Sequence, residues 1–277
     1  HRVANGLRCP ADDDGVIGEF AFRAGHARHA CFDHGLLGRD LVAHHANRGR
    51  RRPDEGEAAA LDALGDPTGD ETDLTSKLRG LLVGLVGVHG DDAEVQARCR
   101  EWFDAASNDP TSVDPELIAA ATNVVAATSD ADTYELMRQR FLAAATPQEQ
   151  LRHLYALAEF DDEALILATC EFAMSPEVRT QNAPFLLRSA IANRRQGPAA
   201  WTFVRDHWQQ ALDRFPSNTI VRMVDSVKFL STPQLVDDAA AFFADHPIEQ
   251  ATKTLEQILE RQRVNTDFRI REAGRWS

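Results

Sequence analysis

From Asp73 to the end of the chain the apolar residues recur at helical spacing. Between Asp91 and Ala106 they are Val95, Cys99, Trp102, Phe103 and Ala106, one stripe of a 3.6-residue period. Trp201, Val204, Trp208, Leu212 and Phe215 repeat the stripe. Shorter ones run through Tyr134/Met137/Phe141, Leu151/Leu154/Tyr155/Ala158, Ile220/Val224/Val227 and Leu235/Ala239/Phe242/Phe243. No segment alternates with the period of two that a half-buried strand needs. The pattern predicts an all-α fold.

The breaks between stripes are patterned too. A capping residue, a proline and then an acid or amide recur as Asp114-Pro115-Glu116, Thr146-Pro147-Gln148, Ser175-Pro176-Glu177 and Thr232-Pro233-Gln234. Each predicts a helix start, with an oxygen at the N-cap and proline at the first helical position, where its missing N–H costs nothing. Thr146 and Glu149 have the spacing of a capping box. Gly197-Pro198 marks a further start. The prolines are 32, 29 and 57 residues apart, the last close to twice the others. Two helices per unit of about 30 residues is the period of stacked antiparallel helix pairs, a HEAT/armadillo-like α-superhelix in which each pair covers its neighbour's apolar face. Ile248, Ala251, Leu255, Ile258 and Leu259 predict a long closing helix reaching about Ala273, its outer face charged.

Residues 1–65 follow none of this. They hold six of the ten His, the run Arg50-Arg51-Arg52-Pro53 and no Trp, and no period lasts beyond two turns. The expectation is an irregular segment over 1–65, either a disordered arm or a stretch read out of frame, followed by a helical-repeat domain over 66–277. The first residue is His1 rather than Met, so the chain is expected to start partway through a longer product.

Composition narrows the function. Apolar residues make up 43% and charged residues 26%, ordinary for a globular chain. A net charge of −13 argues against nucleic acid or an anionic membrane as partner, since both need a basic face. No apolar run is long enough to span a bilayer, and a cytoplasmic location is expected. Cys99 and Cys170 fall among apolar neighbours and are expected to be reduced core residues.

Four clusters are candidates for chemistry. His26, His29, Cys31 and His34 are zinc-ligand types, but their spacing matches no structural zinc pattern. Gly80, Gly84, Gly87 and Gly90 lack the Lys-Ser/Thr ending of a phosphate loop and predict close helix packing, with Gly90-Asp91 as a C-cap followed by an N-cap. Asp161-Asp162-Glu163 predicts a solvated helix start favoured by the macrodipole. Asn193-Arg194-Arg195 closes a helix, where cations complement the C-terminal dipole. No His-Glu-x-x-His occurs, so no catalytic residue and no metal or other cofactor is assigned in this chain.

Three stretches resemble the C-terminal domain of the aminopeptidase N family of zinc metallopeptidases, in the form found in endoplasmic reticulum aminopeptidases. They are Leu78-Arg79-Gly80-Leu81-Leu82 leading to Gly90-Asp91, Val178-Arg179-Thr180-Gln181-Asn182, and Ala200-Trp201-Thr202-Phe203-Val204-Arg205-Asp206-His207-Trp208. The resemblance implies a concave helical wall over a peptide cavity, with zinc and all catalytic residues in an N-terminal catalytic domain of the parent enzyme. It also implies that Arg194, or Asn193 or Arg195 if the register shifts by one, lines the cavity and meets the far end of the peptide substrate. Residues 1–65 depart from the family, which has further amphipathic helices there. The rival expectation is a free-standing helical scaffold that binds proteins.

Overall fold

The structure, a computed structural model, describes residues 53–273. Among them every regular element is a helix and none is a strand. The chain divides into two compact units, one reaching Ala121 and the other starting at Thr122.

In the first unit α1 (Pro53–Leu64) packs on α2 (Asp73–Gly84), which runs into a π-helical turn at Leu85–His89. Helix α3 (Ala93–Asn108) and the start of α4 (Pro115–Ala127) follow. Helix α1 thus occupies the last part of the segment expected to be irregular. Ala60, Leu78 and Leu82 form a small core with Leu61 and Leu64 at its edge. Above it lies a buried cation. Arg79 is 3% exposed, donates from both terminal nitrogens to Glu71 at 2.5 and 2.7 Å, and donates from Nε to the Gly65 carbonyl at 3.0 Å. This fork ties the end of α1 to the start of α2, and the Arg79 hydrogen bond holds the Glu71 carboxyl below its usual range. Arg79 in the Leu78–Leu82 stretch is therefore structural.

The glycines of this unit differ from one another. A Cβ at Gly80 would stand 3.0 Å from the Glu116 carbonyl oxygen, whereas one at Gly84 would meet nothing within 4 Å. Close packing accounts for Gly80 and not for Gly84. At the loop, Gly90 stays right-handed (φ −76°) and Asp91 takes the left-handed conformation (φ 52°). Gln96 secures that turn, donating to Asp91 Oδ1 and to the Gly87 carbonyl, both at 2.9 Å. The N-cap of α3 is Asp92, whose carboxylate accepts from the N–H groups of Glu94 and Val95 at 3.0 and 2.9 Å.

In the second unit consecutive helices pack in pairs: α5 (Ala131–Ala143) on α6 (Pro147–Ala156), and α7 (Glu163–Met174) on α8 (Ala183–Ile191). Then come α9 (Gly197–Asp206), α10 (Trp208–Arg214), α11 (Ser217–Met223), α12 (Pro233–Asp245) and α13 (Thr252–Ala273). Helix α8 is the hub, touching α6, α7, α9, α11 and the 3₁₀ turns Leu157–Glu159 and Val224–Phe229. Leu186, Leu187, Ala190 and Ile191 are accordingly buried. Helix α13 lies along α12 and the second of those turns. Gln262, fully buried in its middle, donates to the carbonyls of Leu230 and Leu235, both at 3.1 Å.

Three of the four proline starts are helix N-termini. Asp114 accepts from Glu116 N at 2.9 Å, Thr146 from Glu149 N at 3.2 Å, and Thr232 from Leu235 N at 3.4 Å. Glu149 reaches back to Ala145 N at 3.2 Å, one residue earlier than a capping box requires. The fourth start fails. Ser175-Pro176-Glu177 forms a turn, and the next helix begins at Ala183. Val178, 1% exposed, plugs the core there, and Arg214 of α10 takes the carbonyls of Ser175 and Val178 as acceptors. Those carbonyls would otherwise belong to a first helical turn.

The tryptophan stripe is two helices, broken at His207 (φ −107°, ψ 19°). The break turns Leu212 outward, 41% exposed, and puts Trp208, Ala211 and Phe215 in the core. Trp201 Nε1 donates to Asp238 Oδ2 at 2.8 Å, Arg205 pairs with the other oxygen of Asp238, and the Trp201 and Trp208 rings meet Phe242 edge-on, each at 5.3 Å. This aromatic cluster joins α9 and α10 to α12.

Candidate functional site

Asn193, Arg194 and Arg195 lie in the turn between α8 and α9. Helix α8 ends as Ala192 N donates to Arg188 O at 3.0 Å and Asn193 N to Ala190 O at 3.0 Å. Helix α9 starts at Gly197, whose N–H donates to Asn193 O at 3.1 Å, with Pro198 in its first turn. A Cβ at Gly197 would overlap the Ile191 carbonyl and press on Leu230, so only glycine allows the two helices to meet this closely.

The Asn193 carboxamide is buried and holds the turn from inside. Its Nδ2 donates to the carbonyls of Ala158 and Phe160, both at 2.9 Å. Its Oδ1 accepts from Arg195 N at 3.1 Å and Gln196 N at 3.0 Å. These four bonds occupy both amide hydrogens and both oxygen lone pairs. Asn193 is therefore a framework residue and not a ligand-facing one.

Arg194 and Arg195 are exposed. Arg195 pairs with Asp161 at 2.6 Å across a gap where its own side chain is 62% exposed, so the pair adds at most about 1 kcal/mol to stability. Gln196 Nε2 donates to the Asp161 carbonyl at 3.2 Å. Asp161 thus does more than solvate a helix start, since it adds an outer tie to the turn. Its neighbour Asp162 caps α7, accepting from Leu165 N at 3.1 Å. The turn can present a guanidinium at position 194, a planar cation with five donors in the fork that matches a carboxylate.

No group of three or more His, Cys, Asp or Glu side chains among the described residues is placed to hold a metal ion. The cluster His26, His29, Cys31 and His34 lies outside the described residues. Cys99 and Cys170 are buried free thiols, each pushed up to about 12 by burial. His153 is buried in α6 and lowered to about 4, first by burial and then by the charges of Arg140 and Arg152. A depression on α13 is lined by the charged side chains of Lys253, Glu256, Glu260 and Arg263 among others. No described helix is long and apolar enough to cross a membrane.

Sequence reasoning identified the turn but missed Asn193 as its anchor and Asp161 as its outer tie. The partners of both lie more than thirty residues away, at separations no local motif encodes.

The profile of the ERAP1-like C-terminal domain matches residues 57–264. Aminopeptidase M1-A of Oryza sativa subsp. japonica is 28% identical over 208 residues, covering 73% of this chain and 24% of its own length. Aminopeptidase M1-D of the same plant is 27% identical over 206 residues, covering 72% of this chain and 23% of its own. Aminopeptidase M1 of Arabidopsis thaliana is 26% identical over 210 residues, with shares of 73% and 24%. The chain therefore spans about a quarter of the length of the curated relatives it matches. With all but the first helical turns and the last stretch of α13 inside that profile, the chain belongs to the ERAP1-like C-terminal domain family, the C-terminal domain of aminopeptidases of the aminopeptidase N type.

Proposed function

We propose that this chain is the part of a zinc-dependent aminopeptidase that walls the peptide cavity, while a catalytic domain on the N-terminal side of the same polypeptide holds the metal and removes the N-terminal residue. The observation that carries this reading is the family match over residues 57–264, in a chain that contains no His-Glu-x-x-His. In such an enzyme zinc polarises the scissile carbonyl and activates water. The helical pairs would bound the cavity and hold the body of the peptide.

Within this reading the helical-repeat domain starts before residue 66, the boundary expected from the sequence pattern. Helix α1 and the family match reaching back to residue 57 support an earlier start. Arg194 is the residue that meets the peptide's C-terminal carboxylate. Its exposure on a turn anchored from beneath supports this role. The reduced state of Cys99 and Cys170 suits a cytoplasmic setting.

The test uses the 277-residue chain itself. Supplied with zinc, it should hydrolyse no aminoacyl anilide, and it should bind a fluorophore-labelled alanine-rich decapeptide as the free acid about tenfold better than as the C-terminal amide, as expected for one hydrogen-bonded charge pair. Arg194→Ala should abolish the difference. Zinc-dependent turnover by the chain alone, or equal binding of acid and amide, would overturn the reading.

A further inference from the structure

We infer that Asn193 is the positioning residue for Arg194: its buried carboxamide sets the conformation of the turn, so that peptide discrimination by the guanidinium depends on a side chain that never touches the peptide. The inference rests on the carboxylate-binding reading of Arg194.

The geometry is that of a clamp with two jaws. On one side Nδ2 is fixed by two carbonyls, Ala158 in the 3₁₀ turn after α6 and Phe160 just beyond it. Both carbonyl-bearing residues are fully buried, and Phe160 packs edge-on against Tyr134 at 5.2 Å, so this jaw does not move with solvent. On the other side Oδ1 gathers the N–H groups of Arg195 and Gln196, the two residues that follow Arg194. Asn193 also precedes Arg194 directly, and its own carbonyl accepts from Gly197 N. The Arg194 backbone is therefore bracketed before and after by one side chain.

The outer face carries a weaker second tie. Gln196 Nε2 reaches the Asp161 carbonyl and Arg195 reaches the Asp161 carboxylate, both at part-exposed positions. Water competes for these contacts, so they trim the turn rather than define it. The Nδ2 side of the inner clamp is buried, and a carbonyl left there without a donor is costly. An arginine side chain loses much rotamer freedom when it binds, and a preset backbone lowers that cost.

The experiment measures the ratio of affinities for the labelled decapeptide as free acid and as C-terminal amide, using the full chain, with circular dichroism and thermal unfolding as checks on folding. Asn193→Ala should lower the ratio from about tenfold to the value of Arg194→Ala. The double variant should lower it no further, because one residue acts through the other. Loss of fold would weaken acid and amide alike and leave the ratio unmoved. Gln196→Ala, which removes the outer tie to the Asp161 carbonyl, should lower the ratio in the same direction by a smaller factor. If Arg194→Ala erases the ratio while Asn193→Ala keeps it, the positioning role is wrong and the carboxylate reading stands. If Arg194→Ala itself changes nothing, the carboxylate reading falls first. Should Asn193→Ala fail to fold, Asn193→Ser takes its place: a hydroxyl cannot span both jaws, so a lowered ratio upholds the inference and an unchanged ratio overturns it.

Discussion

Gly80 and Gly84 lie one turn apart on the same face of α2 and in the same compact unit, yet alanine should act on them with opposite signs. Both positions are helical, so each substitution gains about 0.5–1 kcal/mol by restricting the unfolded chain and favouring the helix. At Gly84 nothing within 4 Å opposes that gain. At Gly80 the new methyl would stand 3.0 Å from the Glu116 carbonyl oxygen and 3.3 Å from its carbon, backbone atoms that cannot rotate away. Forcing a close-packed contact apart costs about 1–3 kcal/mol. Gly84→Ala should therefore stabilise by about 0.5–1 kcal/mol, and Gly80→Ala should destabilise by roughly 0–2.5 kcal/mol once the helix gain is subtracted. Urea unfolding followed by far-ultraviolet circular dichroism measures both on one baseline. In a thermal scan each kcal/mol should appear as roughly 2–4 °C. The difference between the two variants contains only the overlap, because helix propensity cancels. A Gly80→Ala protein as stable as Gly84→Ala, or more so, would refute the close-approach argument.

Two further outcomes are expected. Trp201→Phe keeps a ring against Phe242 and Phe243 but removes the donor to Asp238, and should cost about 1–2 kcal/mol in urea unfolding; a double-mutant cycle with Asp238→Ala should give a coupling above about 0.5 kcal/mol, and additivity would contradict the assigned bond. His153 is lowered to about 4 from 6.5, so only the unfolded chain takes up its proton between those values: its contribution is intact above pH 6.5 and should decline by about 1.4 kcal/mol per pH unit as pH falls towards 4. His153→Leu should flatten that part of the stability profile, and an unchanged slope would place the acid sensitivity elsewhere.

The sequence by itself determined the helices and most of their starts. An N-cap oxygen and the N–H it serves are two or three residues apart, and an apolar stripe is read within a few turns, so Asp114, Thr146, Thr232 and the stripe of α3 could be named without coordinates. The family was legible for a related reason: Trp201, Arg79 and the Asn193-Arg194-Arg195 run are unusual residues in fixed order. Their purposes were not legible. Arg79 figures in the sequence only as part of the family-like Leu78–Leu82 stretch and is a buried clamp on Glu71 and the end of α1. Ser175-Pro176-Glu177 has the letters of a helix start, but Arg214, some forty residues on, claims the carbonyls of Ser175 and Val178, and the Val178 side chain claims the core. Gly80 and Gly84 are one letter in one helix, separated only by whether Glu116 stands opposite. Asn193 is the strongest case. From its neighbours it reads as a helix end, and only the carbonyls of Ala158 and Phe160, brought beneath it by the packing of α8 on the turn after α6, make it the anchor of Arg194. Local chemistry writes elements, because its partners lie within a turn or two of chain. A site is decided by which distant backbone groups packing leaves in need of a partner.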